Sequence, residues 1–141
     1  MFETFFNATM RGKDLGQFFT PRSVVELGVK LARLRVNVPL DDGSFHTDIV
    51  LDACCGTGGY LIDALSDMWN KVSANTSLDD DAKSKLRKQI ANNHIFGVDV
   101  GREPPLARIA RLNMYLHGDG GSSIYQVDVL DKEVLERYGF T

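Results

Sequence analysis

At 141 residues the chain is long enough for one domain with a real hydrophobic core, and 43% hydrophobic with 25% charged residues is globular rather than disordered usage. A net charge of −3 argues against a broad nucleic-acid surface on these residues by themselves, although residues 1–35, with six Lys/Arg against three Asp/Glu, net +3 and leave −6 for the rest. No apolar run approaches the ~18 residues of a membrane helix, and residues 1–10 lack the basic flank and apolar centre of a secretion signal, so a soluble cytoplasmic protein is expected.

Residues 1–10, carrying Phe2, Phe5 and Phe6, form a candidate amphipathic helix, and residues 11–17 read as a loop. A helix should follow, with Thr20 as its cap and Pro21 in its first position. Val24, Leu27, Gly28, Leu31 and Ala32 share one face of it, which makes them the expected buried stripe. Pro39, Asp41, Asp42, Gly43 and Ser44 mark residues 36–47 as a loop.

Ile49, Val50 and Leu51 form a short apolar run that ends at Asp52. Glycines follow at once, and then an apolar helical pattern over residues 60–69, giving strand, glycine turn and helix. A second strand over residues 95–98 ends at Asp99, and Pro104 and Pro105 precede a helix carrying Leu106, Ile109, Ala110, Leu112, Asn113 and Leu116. A third strand over residues 123–127 ends at Asp128, and a short helix is expected over residues 132–138. Strand–helix alternation of this kind predicts an α/β fold, a parallel sheet with helices on both faces. Ligands in such sheets bind beyond the carboxyl ends of the strands, which is where Asp52, Asp99 and Asp128 fall.

The step from Asp52 to Asp99 is longer than a minimal dinucleotide unit requires. The excess, residues 66–93, reads as a helix extension plus a second helix opened by Asp79, Asp80 and Asp81 and followed by Lys83, Lys85, Arg87 and Lys88. Those charges complement a helix dipole, so this is a solvated surface helix or a docking surface for a partner. Cys54 and Cys55 are adjacent, which strains a disulfide between them and supplies too few ligands for zinc; they read as small buried residues in a reducing compartment.

The turn runs Asp52-Ala53-Cys54-Cys55-Gly56-Thr57-Gly58-Gly59-Tyr60-Leu61. Leu61 stands where a dinucleotide loop needs its third glycine, and the Gly-Lys-Ser/Thr of a phosphate loop is absent. A carboxylate four residues before the first glycine disfavours pyrophosphate and suits a ligand with a cationic end, such as the amino group of a methionine moiety. Asp99 can accept from a ribose diol and Asp128 from an adenine amine. Each aspartate alone is more often a helix cap or a solvated loop residue; together, in register at one edge, they favour an adenosine ligand.

Gly16-Gln17-Phe18-Phe19-Thr20-Pro21-Arg22 resembles the cofactor motif that precedes the glycine turn in amino-group DNA methyltransferases. Residues 52–61 resemble their S-adenosylmethionine loop, and Gly97-Val98-Asp99-Val100 their ribose motif. Arg108-Ile109-Ala110-Arg111-Leu112-Asn113-Met114-Tyr115-Leu116-His117-Gly118 is similar to the modification subunit of type I restriction–modification systems. The resemblance covers roughly residues 13–130. It implies a partial Rossmann-like S-adenosylmethionine-dependent methyltransferase fold over 1–141, acting on the N6 amine of adenine in DNA alongside specificity and restriction subunits. It further implies that Gln17, Phe18, Phe19, Thr20, Pro21 and Arg22 wrap the methionine end, and that Ala53, Gly56, Thr57, Gly58 and Gly59 line the cofactor. Asp52 then approaches the amino group, Asp99 the ribose and Asp128 the adenine, with Val100 and Val129 flanking the ring. Asp99 stands where the family commonly has glutamate, one methylene longer.

The family's catalytic motif is Asn/Asp-Pro-Pro-aromatic on a fourth strand, and none of Pro21, Pro39, Pro104 or Pro105 follows Asn or Asp. Glu103-Pro104-Pro105-Leu106 is a superficial match, one strand too early and without the aromatic. No catalytic residue is therefore expected in this chain, which reads as a domain truncated before its chemistry. The alternatives are a methyltransferase for another substrate, and a scaffold that kept the fold without the activity; cofactor affinity separates the latter.

Overall fold

The computed structural model describes residues 20–101, 105–118 and 123–137. The expected helix over 1–10, the loop over 11–17 and the proposed ligand residues Gln17, Phe18 and Phe19 lie outside that range, as do Glu103 and Pro104.

Helix α1, Arg22–Ala32, opens at Pro21, whose carbonyl accepts from the amides of Val24 and Val25 at 2.9 and 3.1 Å. Pro21 has an extended ψ of 141° and is the cap itself; no side chain caps the helix. The expected Thr20 cap therefore falls one residue too early. The expected buried face is also corrected. Val25 and Val29 are the buried pair, whereas Val24, Leu27 and Leu31 are 47%, 57% and 71% exposed. Among the described elements α1 packs chiefly on the next long helix, so the side turned towards that helix is the covered one. Arg33, in the left-handed region at φ 49°, ends it.

The expected loop over residues 36–47 is a small hairpin. Strand β1, Val38–Pro39, pairs antiparallel with β2, Phe45–His46. The turn residues act as expected, with the Asp42 carboxylate accepting from both the amide and the hydroxyl of Ser44. Flanks of two residues are too short for alternation to betray a strand. Below the hairpin, Asp48 takes the Arg35 guanidinium at 2.9 Å and His46 Nε2 at 2.7 Å, and Arg35 holds its carboxyl well below the usual range.

Strand β3, Val50–Asp52, leads into α2, Gly59–Ala74. Helix α3, Asp80–Asn93, follows, capped by Asp79, whose carboxylate accepts from the Ala82 amide at 2.8 Å. Then come β4, Ile95–Val98, α4, Leu106–Leu116, β5, Ile124–Tyr125, and α5, Lys132–Arg137. The three later strands form the expected parallel sheet in the order β3-β4-β5. Asp52 lies opposite Gly97, and Gly97 opposite Ile124, so the carboxyl ends of the strands are level.

Helix α2 is the centre of the core. Leu61, Ile62, Ala64, Leu65, Met68 and Val72 are buried, and α2 touches α1, α3, α4, β3 and β4. Helix α4 packs on α2 and β5 through Leu106, Ala107, Ala110 and Met114; of its expected face, Leu112 and Leu116 are more than half exposed. Leu51, whose side chain alternates to the sheet face opposite that of Val50, is 54% exposed. Among the described residues no helix is long and apolar enough to cross a membrane.

Gly97 fixes how closely α2 sits on the sheet. A Cβ there would lie 2.6 Å from Leu61 Cδ1, 3.2 Å from Cys55 Sγ and 3.3 Å from Ile124 Cγ1. Gly97→Ala is therefore expected to destabilise the fold by about 1–3 kcal/mol through overpacking, read as a lowered denaturant midpoint.

Candidate functional site

The backbone after β3 is drawn against the end of β4. The Cys55 amide donates to the Val98 carbonyl at 2.9 Å, and the Gly56 amide to Asp99 Oδ2 at 2.9 Å. The other oxygen of Asp99 accepts from the Gly101 amide at 2.7 Å, and the Asp99 amide donates to the Tyr125 carbonyl at 3.0 Å. One carboxylate thus joins the glycine turn, the end of β4 and the loop that leaves it. Gly56 and Gly58 have φ of 54° and 87°, left-handed values that glycine adopts without strain. The Gly58 amide closes the turn on the Cys55 carbonyl at 2.8 Å, and α2 begins.

Asp52 is part-buried at the end of β3, with Oδ1 accepting from the Cys54 amide at 3.1 Å. Burial pushes its pKa up; the Cys54 amide pulls it down, and the neighbouring charge of Asp99 raises it further. No cation offsets this carboxylate among the described ion pairs. Burial, with Asp52 and Asp99 close by, also pushes the Cys55 thiol up to about 12, so it stays protonated. Cys54, expected to be buried, is exposed, because the turn directs only the second cysteine into the core.

Two clefts open at this edge and meet at Cys54 and Gly56. The larger, about 420 Å³, runs from Ala53 past Asp99 and Val100 to Asp128 and Val129. The smaller, about 190 Å³, runs from Asp52, Thr57 and Gly59 to Thr20 and Arg22. Twelve of the fifteen residues expected at the site are described, and all but Pro21 and Gly58 line one cleft or the other. Pro21 is spent on opening α1, and Gly58 packs against Ala110. Asp128 is exposed, its Oδ1 accepting from the Leu130 amide at 2.9 Å. Arg22 is held by an ion pair with Asp63 of α2 at 3.1 Å, which fixes α1 beside the smaller cleft.

Sequence reasoning missed several lining residues. Leu106 and Val127 add apolar wall to the larger cleft, and Val25 and Tyr60 to the smaller. Tyr60 directly follows the glycines, a signal that could have found it. Its ring lies over Gly28 of α1, where a Cβ would come within 2.9 Å of Cε1.

A family model described as N-6 DNA Methylase matches residues 1–138. The chain belongs to the N-6 DNA methylase family. Among curated proteins it is similar to the Type II restriction enzyme and methyltransferase RM.BcgI of Heyndrickxia coagulans, 32% identical over 130 residues, which are 91% of this chain and 17% of that protein. Among solved structures it is similar to the Type I restriction enzyme EcoKI M protein, with a TM-score of 0.61 at 22% identity, over 85% of this chain and 23% of that one. The second likeness is one of fold. The chain spans less than a quarter of the length of either relative.

The raised pKa of Asp52 carries a sign for stability. Ionising Asp52 costs the fold, so its contribution is favourable below the ordinary value of 3.8 and is lost as pH rises through the raised folded value. Asp52→Asn should raise the melting temperature of the ligand-free protein at neutral pH, and the gain should vanish in acid. A pH series of thermal melts on both proteins checks it.

Proposed function

We propose that the chain is the cofactor-binding part, over residues 1–141, of a DNA methyltransferase that moves a methyl group from S-adenosylmethionine to the N6 amine of adenine. The observation that carries this reading is the pair of clefts joined at the glycine turn, one apolar with carboxylates at its polar points, the other holding Asp52, which is in none of the described ion pairs, beside Arg22, which is paired with Asp63. Membership of the N-6 DNA methylase family supports the chemistry.

The residues fit the cofactor. The larger cleft offers Ala53, Val100, Leu106 and Val129 to a planar base, with Asp128 at the rim for an exocyclic amine. Each Asp99 oxygen already accepts one backbone amide and keeps a lone pair for a ribose hydroxyl. In this reading Asp52 of the smaller cleft meets the amino group, whose positive charge offsets the burial cost that raises the Asp52 pKa. Arg22 and the first amides of α2 suit the carboxylate of the same end. The bound cofactor supplies an electrophilic methyl group; these residues only bind and orient it.

The rest of the proposal extends beyond these residues. Holding a flipped adenine falls to an Asn/Asp-Pro-Pro-aromatic motif, which the 141 residues do not contain. The fold likeness to a type I restriction enzyme M protein supports reading the whole protein as a modification subunit; in this reading it works on DNA with specificity and restriction subunits in the cytoplasm.

Calorimetry should detect binding of S-adenosylmethionine or its demethylated product, and no binding of NADH. Asp99→Asn, nearly isosteric, should weaken that binding by about 1.5–3 kcal/mol, the usual worth of hydrogen bonds to a charged group. Wild-type affinity in the folded variant removes Asp99 from the site.

The 141-residue polypeptide alone should not label duplex DNA from radioactive cofactor. Without the adenine-holding motif, alignment of amine and methyl is lost, at a cost of orders of magnitude in rate. Robust labelling would return attention to Glu103-Pro104-Pro105.

A further inference from the structure

Helix α4 grips the glycine turn from behind. Asn113 Nδ2 donates to the Thr57 carbonyl at 2.9 Å, across 56 residues of sequence. One turn earlier on the same helix, Ala110 stands behind Gly58, where a Cβ would lie 3.4 Å from Ala110 Cβ. The Thr57 carbonyl is outside the ladder of α2, whose first bond runs from the Ile62 amide to the Gly58 carbonyl at 3.0 Å. The Thr57–Gly58 peptide is thus held at both ends, its oxygen by Asn113 and its amide by the Cys55 carbonyl. A part-buried carbonyl deprived of its donor turns to find another, and the peptide turns with it.

Asn113 lines neither cleft, but Thr57 and Gly59, on either side of the held peptide, line the smaller one. The larger cleft is secured separately, through Gly56 on Asp99. We propose that Asn113 is a positioning residue for the amino-acid end of the cofactor, acting through the Thr57 carbonyl and not on the adenosine end. The proposal rests on the cofactor reading above.

The test compares S-adenosylhomocysteine, which fills both clefts, with 5′-deoxy-5′-methylthioadenosine, which has no amino-acid end. Asn113→Leu and Asn113→Asp both remove the donor at near-constant volume. Each should bind S-adenosylhomocysteine about tenfold or more weakly, while the methylthioadenosine affinity stays within about twofold. Unchanged S-adenosylhomocysteine affinity in a folded variant overturns the proposal, and so does an equal loss for both ligands, which marks general loosening. If neither variant folds, the side-chain amide resonances of Asn113 in the unaltered protein decide. They should shift on adding S-adenosylhomocysteine and stay put on adding methylthioadenosine; no shift with the former overturns the proposal. Failure of the unaltered protein to bind S-adenosylhomocysteine at all sinks the cofactor reading itself, and the role of Asn113 with it.

Discussion

The Asp99 carboxylate is the tie on which the edge of this fold depends. Its two oxygens take the amides of Gly56 and Gly101, one from the turn after β3 and one from the loop after β4. Backbone amides left at a strand end need partners, and a single carboxyl group here satisfies two of them while binding separate loops together. The cost is a concentration of negative charge, because Asp52 ends the neighbouring strand, opposite Gly97, and the charge of Asp99 bears on it. Asp99 is spent on two backbone amides, whereas Asp52 takes one and is in none of the described ion pairs. That excess is the physical reason to look for a cationic ligand at this edge.

Behind the tie, packing sets the geometry. Leu61 lies on Gly97 with room for a hydrogen and no more, which brings the start of α2 down onto the sheet. Tyr60, next in the chain, turns the other way and rests on Gly28. Two glycines far from the turn therefore place the turn as firmly as its own glycines do. Arg22 with Asp63, and Asn113 with Thr57, then fix the flanking helices to it.

Much of this was legible in the sequence, for reasons that can be named. Strands ending in aspartate followed by glycines or prolines have few alternatives, so β3, β4 and the parallel order could be read directly. The shared edge of those aspartates pointed to where the clefts open, but not to their apolar walls of Leu106, Val127, Val25 and Tyr60. The face of α1 was not legible, because Val24, Leu27 and Leu31 satisfy helical periodicity as well as Val25 and Val29 do, and only the docking of α2 chooses between them. The hairpin hid behind strands of two residues. The exposure of Cys54 depends on the handedness of the turn, and the contact of Asn113 spans 56 residues, beyond any local pattern.

Helix α3 stands apart from the clefts. It leaves from the far end of α2 and returns to the first residue of β4, so both of its ends lie at the edge away from the glycine turn. Its anchors, Ile90 and Ala91, belong to the same core as α2. The register of Asp52 against Gly97 is set by β3 and β4 alone. None of the residues of α3 lines either cleft, so its exposed charges face solvent away from the glycine turn.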